Sequence, residues 1–273
     1  MIKANFHTHT WRCKHATGCV ADYCQMAVEQ GVTVLGFSEH CPHPDGRWQA
    51  VRMQMDELPE YLAEIAAARR DFPQLRILSG LECEWVPEFE ETQREYFLKE
   101  MGCDFLVGAA HSYLHDGVFE SAYGRQLTAA DLRAYADYTV QSMRTGLYAF
   151  YAHPDLFAMS IWEWDRAADE CSRTILQAAE EYRVPLEINA YGLRKPEKEY
   201  SDGPRRMYPV RQFWELAAEY QVSVVVSSDA HQPEDVWGNT GECTQIAQNL
   251  GLRVVNDQYE TWLYGAGSRG GVK

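Results

Sequence analysis

Histidines and acidic residues that could bind metal ions follow the predicted strands of this chain. His7 and His9 come directly after the first strand and stand two residues apart. On an extended chain, side chains at this spacing point the same way, so both imidazoles can reach one ion. Asp229 and His231 share this spacing near the other end of the chain. Imidazoles and carboxylates that converge on one face suit zinc, manganese or iron.

Nine residues form the predicted set of metal ligands, and seven of them are histidines. They are His7, His9, His15, His40, Glu82, His111, His153, Asp229 and His231. A single histidine at a strand end is more often a hydrogen-bonded structural group, and a single acid there commonly caps a helix. Here six of seven predicted strands end in such groups, and burying so many without a metal would carry a large desolvation penalty. The pattern therefore predicts a multinuclear metal site, with His43 and His115 exposed or behind the ligands.

The elements that must position these residues alternate between short apolar strands and longer amphipathic helices. Strands are predicted at 2–6, 33–37, 75–81, 105–109, 147–152, 185–188 and 222–227. Helices are predicted at 21–30, 55–70, 88–100, 129–144, 165–182, 207–220 and 234–250, with N-caps at Asp56 and Asp165 and helix ends at Gly31, Gly102, Gly146 and Gly251. Seven strand-then-helix units predict an α/β protein with a parallel sheet. Irregular stretches at 41–54, 115–127 and 191–206 each follow a strand, which favours a barrel whose strand-to-helix loops carry the chemistry.

Length and charge narrow the class of protein. The 273 residues suit one barrel domain, predicted at 1–264 with a flexible tail at 265–273. A hydrophobic content of 46% indicates a globular chain, and no apolar run approaches the roughly 18 residues of a membrane span. The net charge of −15 argues against nucleic-acid binding through a basic face. Any phosphate must therefore be held by a local positive site, such as a metal cluster.

The eight cysteines form no Cys-x-x-Cys motif, and the first residues lack the apolar stretch of a signal peptide. We therefore expect reduced thiols in a cytoplasmic protein. Cys13, Cys41 and Cys83 lie near the ligand motifs, and they are expected to line the site without binding metal.

In their order, these motifs resemble the PHP (polymerase and histidinol phosphatase) superfamily of metal-dependent phosphoesterases. The resemblance rests on His7-Thr8-His9, His40, Glu82, His111, His153 and Ser228-Asp229-Ala230-His231. Within the superfamily, the segments 187–189 and 192–196 and the pair Tyr208-Pro209 look like the histidinol-phosphatase branch. The resemblance implies a distorted (βα)7 TIM-like barrel with three divalent transition-metal ions at the C-terminal ends of the strands.

The same resemblance implies how the ligands divide. His7, His9, Glu82 and Asp229 would surround one ion, and Glu82 would bridge to a second ion held by His111 and His153. A third ion would be held by His15, His40 and His231. Glu82, Asp229 and His231 are the implied catalytic residues.

The implied reaction is hydrolysis of a phosphate monoester, with L-histidinol phosphate as the expected substrate in histidine biosynthesis. Cations close together lower the pKa of a bridging water, so that hydroxide can attack phosphorus without a covalent enzyme intermediate. Arg194 is predicted to clamp the phosphate through its bidentate guanidinium, with Lys195 and Asn189 as further substrate-binding candidates. The expected partner is a small phosphate ester, and the expected assembly is a monomer or homodimer.

Three alternatives stay open at the level of sequence. The chain could be a PHP phosphoesterase for nucleotides, sugar phosphates or phosphotyrosine. It could be a non-catalytic PHP module, although such modules would be expected to have lost several ligands. An amidohydrolase-like metal enzyme is the third alternative, but that group usually bridges its metals with a carbamylated lysine, where this chain has Glu82.

Overall fold

Eight parallel strands form the central sheet of the computed structural model, which describes residues 2–267. In sheet order they are β1 (Ala4–Asn5), β2 (Val34–His40), β3 (Arg76–Glu84), β4 (Phe105–Ala109), β7 (Phe150–Tyr151), β8 (Leu186–Asn189), β11 (Ser223–Ser227) and β12 (Arg253–Val254). Two antiparallel hairpins lie outside the sheet: β5 (Ser112–His115) with β6 (Val118–Ser121), and β9 (Lys198–Tyr200) with β10 (Gly203–Arg205).

Helices connect the strands. They are α1 (Val20–Glu29), α2 (Leu58–Asp71), α3 (Ala129–Arg144), α4 (Arg166–Tyr182), α5 (Tyr191–Arg194), α6 (Arg211–Ala217), α7 (Thr240–Asn249) and α8 (Tyr259–Gly267), with a π-helical segment at Thr92–Glu100. All seven predicted strands are present, and each predicted helix overlaps an observed helical segment. Asp165 caps α4 as predicted, because its carboxylate accepts the N–H of Ala168 at 2.9 Å.

The predicted cap at Asp56 is wrong. Asp56 lies inside the 3₁₀ turn Met55–Glu57, and Glu57 accepts the N–H of Gln54 at 2.7 Å instead. The stretches 115–127 and 191–206 are also less irregular than predicted, because the first contains β6 and the second contains the hairpin of β9 and β10. Their strands are three or four residues long and carry charged side chains, so they lack the apolar alternation from which a strand is predicted.

The sheet curls until its two ends meet, which confirms the predicted barrel. Beyond β1, the N–H of His9 donates to Ala230 O at 2.9 Å, and Thr8 and Ala230 form a parallel bridge. The buried Asn256 side chain spans the same seam, since its amide donates to Ala4 O at 3.0 Å and to Val226 O at 2.7 Å. β12, which the sequence analysis missed, pairs with the first residues of β11.

Apolar side chains fill the barrel near the N-terminal ends of its strands. Trp262 of α8 packs edge-on against Phe6 at 5.0 Å and Phe150 at 5.8 Å between ring centroids. A Cβ at Gly80 would lie 2.7 Å from the Phe105 ring, so glycine is what lets this ring enter the barrel. Because side chains fill the barrel at the N-terminal ends of the strands, an active site is expected at the C-terminal ends.

The predicted domain boundary at residue 264 stays a prediction. α8 continues through Gly267, so 265–267 belong to a helix, while 268–273 of the predicted tail lie outside the described residues. Within residues 2–267, no helix has the length and apolar character to span a membrane.

Candidate metal centre

A cavity of about 260 Å³ opens at the C-terminal ends of the strands. Eight of the nine predicted ligands line it: His9, His15, His40, Glu82, His111, His153, Asp229 and His231. His7 is fully buried and contacts this group through Glu82 and Asp229. Residues far apart in sequence therefore meet because each lies near or beyond the C-terminal end of a strand of one closed sheet.

The first group contains His7, His9, Glu82 and Asp229. The Nε2 atoms of the two histidines are 3.1 Å apart. Glu82 Oε2 is 3.5 Å from each of these nitrogens, and Asp229 Oδ1 lies 3.6 Å from His7 and 3.3 Å from His9. Four donor atoms thus face a common point, as the predicted division of ligands requires.

Glu82 also faces a second group through its other oxygen. Glu82 Oε1 is 2.9 Å from His153 Nε2 and 3.5 Å from His111 Nε2. A carboxylate whose two oxygens face two sets of imidazoles has the geometry of a bridge.

The third group is centred on His15 and His231, whose Nε2 atoms are 3.1 Å apart. His40 lies between the first and third groups: its ring centroid is 4.4 Å from that of His9 and 5.4 Å from that of His15. Its Nδ1 lies 3.0 Å from Glu82 Oε2. His40 therefore contacts the bridging carboxylate as well as the group predicted for it.

Three buried glutamates outside the predicted set orient the imidazoles. Glu187 accepts from His7 Nδ1 at 2.8 Å, Glu39 from His9 Nδ1 at 3.1 Å, and Glu84 from His111 Nδ1 at 2.8 Å. An ionised carboxylate can only accept, so each imidazole donates from Nδ1, which leaves Nε2 as the atom that can bind a metal ion. Glu39 and Glu84 flank predicted ligands in sequence, which is the signal that could have identified them.

Burial and charge act in opposite directions on the two central carboxylates. Burial by itself raises their pKa values, but nearby histidines, chiefly His111 for Glu82 and His7 for Asp229, hold both pKa values well below the ordinary range. Burial, together with His9, lowers the pKa of His40 to about 4 and lowers that of His231. Burial by itself lowers the pKa values of His7 and His9, but nearby carboxylates, chiefly Asp229, raise both, that of His9 to about 9, so a metal ion that binds there displaces a proton.

Two buried oxygens point to a cation at this position. Glu82 Oε2 and Asp229 Oδ1 have no hydrogen-bond donor among the described residues. Leaving a buried carboxylate oxygen without a partner is unfavourable by about 1–3 kcal/mol or more. Both oxygens face the Nε2 atoms of His7 and His9. The donor set therefore fits divalent transition metals.

The structure places Arg194, the predicted phosphate clamp, against the loop after β11. Its Nη2 donates to Ser228 O at 2.6 Å and Asp229 O at 3.1 Å, and its Nη1 donates to Gly238 O at 2.9 Å. Its Nε lies 3.2 Å from Asp235 Oδ2. The guanidinium is thus occupied by the loop after β11, and it does not line the cavity. This position favours a role for Arg194 in holding the backbone of Asp229, and it does not support the predicted contact with phosphate.

We expect Arg194→Ala to lower the free energy of unfolding by at least about 2 kcal/mol, because several buried carbonyls lose their donors. Metal occupancy and kcat should fall together as Asp229 shifts, with little change in KM. Urea denaturation, metal analysis and kinetics would check this. Arg211→Ala, which removes an exposed arginine that pairs with Glu215, is the matched control. If Arg194→Ala raised only KM and left the metal content normal, Arg194 would be assigned to phosphate binding after all.

The other substrate-binding predictions have different outcomes. Asn189 donates to Asp229 Oδ2 at 3.0 Å and to Glu187 Oε2 at 2.8 Å, so it supports a predicted ligand and does not line the cavity. Lys195 lines the cavity, and its Nζ lies 4.0 Å from the centroid of the Tyr191 ring. Arg52, which was not predicted, lines it as well and donates to Glu84 Oε2 at 2.9 Å.

Three tyrosines line the cavity, each against a different histidine. Tyr191 stacks on His231 at 4.5 Å, Tyr123 lies 6.0 Å from His111, and Tyr208 lies 6.0 Å from His153. These rings narrow the space above the ligands.

The two histidines outside the predicted set lie away from the ligand groups. His43 is buried behind Glu84, with its Nε2 3.6 Å from Cys41 Sγ. His115 is on β5, 3.2 Å from Asp131.

Known proteins are similar to this chain in sequence and fold. A protein of Deinococcus radiodurans named "Probable histidinol-phosphatase" is 30% identical over 257 residues, covering 91% of this chain and 94% of the relative. The histidinol-phosphatase of Bacillus subtilis is 26% identical over 264 residues, covering 86% and 96%. The crystal structure of a Lactococcus lactis histidinol phosphate phosphatase, complexed with zinc, L-histidinol and phosphate, superposes with a TM-score of 0.70 at 17% identity and covers 92% of this chain and 95% of that one. The sequence profile of the PHP domain matches residues 5–191, and the chain belongs to the PHP domain family.

Proposed function

We propose that this chain is a metal-dependent phosphomonoesterase that hydrolyses L-histidinol phosphate to L-histidinol and phosphate. The observation that carries the proposal is the convergence of nine predicted ligand side chains at one site, eight of which line the cavity, with the two oxygens of Glu82 facing two groups. The choice of substrate is supported by the B. subtilis relative, whose name states this activity, and by the histidinol and phosphate bound in the L. lactis structure.

Three divalent ions, drawn from zinc, manganese and iron, would occupy the site. His7, His9, Glu82 and Asp229 would hold the first ion, and Glu82, His111 and His153 the second. His15, His40 and His231 would hold the third. When bound, such ions supply a hydroxide nucleophile near neutral pH and offset charge on the phosphoryl oxygens.

The side chains prepare the site for that chemistry. Glu82 and Asp229 stay ionised, and Glu187, Glu39 and Glu84 keep the imidazole protons on Nδ1. Lys195 is the cation placed to attract the phosphate dianion into a protein whose net charge is −15.

A substrate panel tests the assignment. Purified, metal-analysed protein should show its highest kcat/KM with histidinol phosphate, compared with nucleoside monophosphates, sugar phosphates and phosphotyrosine. A higher kcat/KM with one of the other esters would support phosphomonoesterase activity but contradict histidinol phosphate as the substrate. No hydrolysis of any ester by fully metallated protein would contradict the proposed function.

Lys195→Ala should reduce kcat/KM by about ten- to a hundredfold, equivalent to about 1.5–3 kcal/mol for a hydrogen bond to a charged group. Histidinol phosphate and an aryl phosphate should be affected alike, since both carry the phosphoryl group. Lys198→Ala, at an exposed position on β9, is the control.

The same lysine should shape the alkaline side of the pH profile. Burial lowers the pKa of Lys195, so its charge, and the phosphate binding that depends on it, is lost at lower pH than for an ordinary lysine. Lys195→Arg keeps its charge and should flatten the decline of kcat/KM above neutral pH. An unchanged profile would remove Lys195 from phosphate binding.

A further inference from the structure

A buried thiol adjoins the third group of ligands. Cys13 ends the 3₁₀ turn Trp11–Cys13, and its side chain is fully buried. The ligand atoms of Cys13, His15 and His231 lie within 4.8 Å of one another and could hold one ion. Cys13 belongs to a second such group with His9 and Glu39. The thiol therefore lies between the first and third groups.

The orientation of the two histidines leaves this position short of donors. His15 Nδ1 lies 2.7 Å from Cys13 O, and His231 Nδ1 lies 3.2 Å from Asp229 O. A carbonyl only accepts, so both imidazoles carry their proton on Nδ1. Their unprotonated Nε2 atoms then face each other at 3.1 Å, an arrangement in which the lone pairs repel unless a cation lies between them. Zinc at such a site takes four donors, and the three imidazoles predicted for this ion, those of His15, His40 and His231, are one too few.

We propose that Cys13 binds the third metal ion as a thiolate, beside His15 and His231, and that it directs this position toward zinc. On binding, the thiol proton passes to solvent and sulfur donates an electron pair to the ion, with no change in oxidation state. Soft thiolate ligands favour zinc over manganese, whereas imidazole and carboxylate ligands accept both. The inference rests on the proposed metal centre, but it does not depend on which ester is the substrate.

Cobalt(II) loading tests the inference without an activity assay, because a thiolate bound to cobalt absorbs in the near ultraviolet by charge transfer from sulfur. Fully loaded wild-type protein should show this band, and Cys13→Ser should lose it. Cys24→Ser, which changes an equally buried thiol on α1, should keep it. Absence of the band from cobalt-loaded wild type, or an equal band in Cys13→Ser, would overturn the proposal.

A measurement on the unaltered protein covers the case in which Cys13→Ser does not fold. X-ray absorption of the zinc-loaded protein should contain a zinc–sulfur distance of about 2.3 Å, separate from the nitrogen and oxygen shell at about 2.0–2.1 Å. A spectrum with only the shorter shell would overturn the proposal. Sulfur in that spectrum would support it even if histidinol phosphate were not hydrolysed, and failure to bind any metal would refute the metal centre itself.

Discussion

Glu82→Gln should reduce kcat by at least about a thousandfold, well beyond the 10–100-fold loss typical of residues that only orient ligands. The amide keeps the size of the side chain but removes the charge that two groups of imidazoles share. Glu82 Oε2 lies 3.5 Å from both His7 and His9, while Oε1 lies 2.9 Å from His153. Metal occupancy should fall with turnover, so both are measured on the same preparation.

Two further glutamate-to-glutamine variants show whether the large loss is specific to Glu82. Glu187→Gln weakens the acceptor of His7 Nδ1 and should cost about 10–100-fold in activity or metal affinity. Glu181→Gln, at an exposed position near the end of α4, should have no effect. A Glu82→Gln enzyme with a near-normal rate would show that the bridging assignment is wrong.

Removal of the metals should abolish activity, and added zinc or manganese should restore it. Gently purified protein should hold close to three ions per chain. The melting temperature should rise on reloading, because a ligand at about 100 times its dissociation constant stabilises the folded state by about 2.7 kcal/mol. Circular dichroism of the stripped protein serves as the control for folding. Retention of no more than one tightly held ion would contradict the trinuclear site, and full activity after stripping would contradict metal-dependent hydrolysis.

The sequence by itself was enough to predict the seven strands that carry the site and the side chains that meet there. The reason is local. Apolar runs such as 105–109 identify a strand covered on both faces, and that prediction matches β4 residue for residue. Parallel strands all end on one face, so residues such as His111 and His153 could be expected to meet before their distances were known.

The tertiary structure decided what depends on contacts across the chain. Closure of the barrel needs Asn256, whose amide joins the β1 and β11 sides of the seam, and no local pattern marks that role. Arg194 and Lys195 are neighbours in sequence, yet the guanidinium is bound by the carbonyls after β11 while the lysine reaches the cavity. The sequence gives the type of a charged side chain, but its role depends on the hydrogen-bond acceptors that the fold places beside it. For Arg194 these acceptors lie more than 30 residues away along the chain.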